Sequence, residues 1–174
     1  MPNHLSILGI FHTAISILAI LIAVYALLRY GRIDPKNITG KLYIGLTVIA
    51  CLSALPIMRT GHISAGHPLA VIILVLLPIA VYAKYIKLFG KWGIFVQTVL
   101  MSMTLFLSMI PATVETLTRI PLSHPLAGDQ NAPIIKMALT GLIIVFIMGT
   151  IYQLLKLNRS IKDAATHDSS MNLS

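Results

Sequence analysis

Five long apolar runs, separated by short polar and mostly basic stretches, set the pattern of the chain. They extend from Leu5 to Leu28, Leu42 to Met58, Pro68 to Phe89, Trp92 to Thr118 and Pro133 to Leu157. A run of about 20 apolar residues crosses a hydrocarbon core of about 30 Å, so each predicts a membrane-spanning helix with modest tilt. The second run is the shortest. The third ends on Lys84 and Lys87, whose aliphatic stems let the ammonium groups snorkel to the interface. Between the fourth and fifth runs, Pro121, Pro125 and Pro133 rule out one continuous helix. The pattern therefore predicts a single five-helix transmembrane domain over residues 1–157. Residues 158–174 form a polar cytoplasmic tail, expected to be frayed.

Composition sharpens this picture. Hydrophobic residues make up 57 % of the chain and charged residues 10 %, with a mean hydropathy of +0.89. A soluble domain carries roughly 25 % charged residues, so the fold class is an all-α integral membrane protein, without room for a large soluble catalytic domain. The net charge of +8 would suggest nucleic acid in a soluble chain, but here the cations flank apolar runs and set topology instead. Ten of them (Arg29, Arg32, Lys36, Lys41, Lys84, Lys87, Lys91, Lys156, Arg159, Lys162) fall on one side of five spans, against Arg59, Arg119 and Lys136 on the other. Because cytoplasmic loops retain Lys and Arg, the amino terminus is expected outside and the carboxyl terminus in the cytoplasm of a bacterial inner membrane. The first cation, Arg29, follows the first apolar run, so that run reads as an anchor rather than a cleaved signal. Cys51, the lone cysteine, lies within an apolar run with no C-x-x-C pattern and reads as packing.

On this topology His4, His12, His62, His67 and His124 all map to the outer side, and only His167 to the inner tail. Neutral imidazole is the commonest transition-metal ligand and a haem axial ligand. The expected site is outward-facing and holds a transition-metal ion or a b-type haem, for electron transfer or metal handling. His12 and His67 are its first ligands, His62, Glu115 and His124 its helpers, and Arg59 and Arg119 its partners for haem propionates. The competing reading is that His12 hydrogen-bonds a neighbouring hydroxyl or carbonyl while His62 and His67 cap loops. The fourth span adds a polar stripe of Gln97, Thr104, Ser108, Glu115 and Arg119 at helical spacing, expected to face protein or water. Pro111 interrupts that stripe, removes the bond to the Leu107 carbonyl and makes space for a ligand through a kink. Two alternative functions follow: a non-catalytic accessory or scaffold subunit packed by this stripe against other membrane subunits or a second copy, and a small proton-coupled carrier using Glu115. No P-loop, G-x-S-x-G or H-E-x-x-H motif is present.

The pairs Phe11-His12, Gly40-Lys41-Leu42-Tyr43 and the stretch from Gly61 to His67 resemble a family of small bacterial multipass membrane proteins of unknown function, over roughly residues 1–90. The resemblance implies further histidines in the cytoplasmic connections. Here those stretches hold Lys36-Asn37 and Gly90-Lys91-Trp92 instead, which leaves the outer histidines as the ones to follow.

Overall fold

Helix α1 runs over Ile7–Tyr30, preceded by Ser6, whose hydroxyl accepts from the Gly9 amide at 3.1 Å and so satisfies one of the donors a helix start leaves free. It ends at Gly31, whose φ of 77° lets the amide turn back to the Leu27 carbonyl. This computed structural model describes residues 6–56, 66–121 and 123–171. After a turn in which Asp34 accepts from Arg32 at 2.5 Å and from the Lys36 amide at 3.0 Å, helix α2 covers Ile38–Ala54. It starts four residues before the expected Leu42, because the Asp34-Pro35 turn already sets the chain into helix by Asn37. Pro56 cannot continue it, and the end falls just ahead of that proline.

Helix α3 (Gly66–Tyr82) stops short of the expected Phe89. Two 3₁₀ turns, Ala83–Tyr85 and Lys87–Trp92, replace its last part, with Gly90 at a φ of 45°. Helix α4 (Gly93–Arg119) runs unbroken through Pro111. The described residues between Ile120 and Ala132 are irregular, as Pro121 and Pro125 dictate, and fold back so that the Ala127 amide donates to the Leu117 carbonyl at 2.9 Å. Helix α5 covers Pro133–Met171. The expected frayed tail from residue 158 is thus helical to Met171, since polar side chains forbid burial in lipid but not the helix itself. Four of the five helices are long and apolar enough to cross a membrane. That count is of the described residues and takes α3 with its following turn, Gly66–Tyr85; the exception, α2, has 17 residues and a length of about 25 Å.

Neighbouring helices run antiparallel. His12 near the start of α1 meets Ala50 near the end of α2, and Gln97 at the start of α4 meets Val81 at the end of α3. Along α4 and α5, Ser102 pairs with Gln153 and Phe106 with Phe146, so position rises on one helix as it falls on the other. Among the helices, α5 packs on α4 alone, and only 6 % of its apolar stretch is buried against 39 % for the stretch holding α4. Small residues fill the interior: α1 buries Gly9, Ala19, Ala23 and Ala26, and α3 buries Ala70 and Ala80 beside Ile73 and Leu77. The large aliphatic side chains, Leu21, Ile72, Val75, Ile144 and Val145 among them, point outward. Small residues at helix contacts and bulky apolar ones outside are the arrangement a lipid solvent favours.

Candidate functional site

A cavity of about 100 Å³ opens between α1, α2, α3 and α4. Its polar lining is His12 and Ser16 from α1, Tyr43, Thr47 and Cys51 from α2, and Ser108 from α4. Ala70, Ile73 and Pro111 are among the apolar groups. From Ala54 to Tyr43 it follows α2 for about 16 Å. It lies toward the end of the bundle where α1 and α3 begin and α2 ends, so the space expected beside Pro111 exists without a break in α4.

His12 is fixed at this cavity by two contacts through one nitrogen. Its Nδ1 lies 2.9 Å from the Ala50 carbonyl and 3.2 Å from Ser53 Oγ. A carbonyl only accepts, and Ser53 spends its own hydrogen on that same carbonyl at 2.9 Å. Nδ1 must therefore carry a proton, which in the neutral form of the ring puts the lone pair on Nε2. The competing reading of His12, a histidine bonded to a nearby carbonyl and hydroxyl, is thus what the structure forms, and it leaves the second nitrogen unspent among the described residues. His67, at the start of α3, faces the Leu55 carbonyl through Nε2 at 3.1 Å. Both imidazoles are anchored on carbonyls near the end of α2, five residues apart, that of Leu55 lying just past the helix.

The other expected site residues are placed differently. Arg59 and His62 lie outside the described residues. Glu115 and Arg119 form an ion pair at the end of α4 and are not among the cavity-lining residues. His124 is exposed in the 120–132 connection. Among the described residues no three His, Cys, Asp or Glu side chains are grouped as a metal site.

The polar stripe of α4 is inward-facing for most of its length. Gln97, 2 % exposed, donates to the carbonyls of Val81 at 2.7 Å and Ala80 at 3.3 Å, filling acceptors freed where α3 ends. Thr104 is fully buried and gives its hydrogen to the Met101 carbonyl, so the Tyr43 hydroxyl is the donor in their 2.9 Å contact. Ser108 donates to the Thr104 carbonyl at 2.9 Å. Tyr43, Thr47, Ser102 and Gln153 belong to the same polar interior, although nothing in the pattern along the chain marks them out. Their signal, single hydroxyls and an amide inside apolar runs, is weak until the packing pairs them. No protein family, characterised protein or solved structure matches the chain.

Proposed function

We propose that the chain is a five-span protein of the bacterial inner membrane that holds a transition-metal ion in the cavity beside His12, for metal handling or electron transfer. The amino terminus faces outward and the carboxyl terminus the cytoplasm. Support for the fifth crossing comes from direction: α1 and α3 both run away from the cavity end, so α2, although short, must return the chain between them. Ten cations against three support the orientation.

The observation that carries the metal reading is the His12 ring. Metal-bound histidines almost always donate their other N–H to a carbonyl or carboxylate, which fixes the tautomer and aims the free lone pair at the ion. His12 already makes that outer contact through Nδ1, and it lines the cavity. A space of about 100 Å³ suits an ion with a few waters, each occupying about 30 Å³, whereas drug-sized ligands take about 300 Å³ or more. The ion is therefore favoured over a haem.

Elemental analysis and a visible spectrum of the detergent-purified protein test this. The expected result is bound metal that His12→Ala removes and that substitution of His167 leaves in place. Full metal content in His12→Ala overturns the reading, and a Soret band would put a haem in place of the ion. A second reading, an accessory subunit, draws on α5, which among the described helices packs mainly on α4 and leaves most of its surface to lipid or a partner helix. The carrier reading gains no support from Glu115, whose carboxylate is engaged by Arg119 away from the cavity.

A further inference from the structure

A second group with ligand chemistry lines the His12 cavity. Cys51 is a free thiol, 6 % exposed, and it directly follows Ala50, whose carbonyl anchors the His12 ring. One turn earlier on α2, Thr47 is 3 % exposed and lines the same space, its hydroxyl beside that of Tyr43. An unspent imidazole nitrogen and a free thiol thus line one small space beside that hydroxyl, and together they point to an occupant they can hold.

We propose that this occupant is monovalent copper, held by His12 Nε2 and the Cys51 thiolate, with the Thr47 hydroxyl facing the ion or a water on it. The assignment rests on His12 being a metal ligand. Three properties of the site select this ion. Thiolate is a soft ligand and favours Cu(I). Charge comes next: Cu(I), one thiolate and one neutral imidazole sum to zero, and no charged side chain lines the cavity to offset a residual charge. Zn(II) with the same two ligands would keep one positive charge. Coordination number agrees, since Cu(I) accepts two ligands while structural zinc takes four, a number the described residues do not assemble. Binding replaces the S–H bond of Cys51 by an S–Cu bond and releases one proton to bulk water. The copper stays Cu(I) throughout, so no electron is exchanged.

The test uses the full chain in detergent micelles, titrated anaerobically with Cu(I) against a chromogenic Cu(I) chelator, with Zn(II) as the comparison ion. One Cu(I) per chain is expected, and X-ray absorption of the wild-type complex should show one sulfur and one nitrogen scatterer. Loss of an outer-shell partner typically costs about 10–100-fold in affinity, so losing a true ligand in Cys51→Ala should cost more than 100-fold, with helicity and elution unchanged. If Cys51→Ala keeps its Cu(I) affinity while His12→Ala loses it, Cys51 is not a ligand and the His12 reading stands. A spectrum without sulfur has the same meaning and needs no variant to fold. His12-dependent binding of Zn(II) in preference to Cu(I) overturns the choice of ion alone. If wild-type protein binds neither ion, both the inference and the metal reading fall.

Discussion

Gln97 shows how much one side chain can settle in a bundle whose interior is otherwise small and apolar. The carbonyls of Ala80 and Val81 lie in the last turn of α3, where no intrahelical donor reaches them, and the Gln97 amide answers both. Replacing it with leucine keeps the volume close but leaves two buried acceptors unmet. We expect Gln97→Leu to lose about 1–3 kcal/mol of stability, measured by denaturant unfolding in micelles. Unchanged stability would mean that those carbonyls have another donor. Tyr43 and Thr104 make the comparable contact between α2 and α4, in which the direction of the hydrogen bond follows from Thr104 donating to Met101.

Among the elements, α3 and α4 meet at a close junction. Gly93 opens α4 against the 3₁₀ turn at Ala83–Tyr85, and a Cβ there would lie 2.7 Å from the Lys84 Cα, a backbone atom that cannot swing aside. Gly45 in α2 has nothing within 4 Å of the same construction. The two alanine substitutions should therefore act in opposite directions. Gly93→Ala should destabilise by about 1–3 kcal/mol through the forced backbone shift. Gly45→Ala should stabilise by about 0.5–1 kcal/mol because glycine inside a helix loses more conformational freedom on folding. Thermal unfolding of both variants in one detergent checks the pair, and equal shifts would contradict the close approach at Gly93.

For the molecule as a whole, the alternation of helix direction fixes which loops share an end, and the proposed orientation rests on the cation count. On the proposed orientation, a reporter fused after Ser174 reads cytoplasmic and one placed before Asn3 reads outside. Both reporters on the same side would remove the five-span arrangement, with α2 the helix at fault because its length of about 25 Å is below the hydrocarbon thickness. The bundle is also uneven. Helices α1 to α4 enclose the cavity, while α5 attaches through the Ser102 to Gln153 hydrogen bond at 3.0 Å and the stacked pair of Phe106 and Phe146.

The number of helices and their rough extents were legible along the chain, because about 20 apolar residues in a row have few stable alternatives in lipid to a helix that satisfies its own backbone. The inward direction of Gln97 and Thr104 was legible too, since a 3.6-residue period places them on one face and unmet polar groups are costly in hydrocarbon. Helix ends were less so: α3 stops at Tyr82 where the apolar run continues, and α5 continues to Met171 where it has ended, because termini depend on local turns and packing as well as on hydropathy. The cavity required the tertiary structure. Cys51 reads as one more apolar position until α1 sets His12 against Ala50, and Thr47 is an ordinary helix hydroxyl until the packing sets it on the same cavity wall. Helical periodicity fixes which residues share a face of one helix. Which faces of different helices meet depends on small residues and hydrogen bonds matching in three dimensions, and that match alone brought His12, Thr47 and Cys51 to one space.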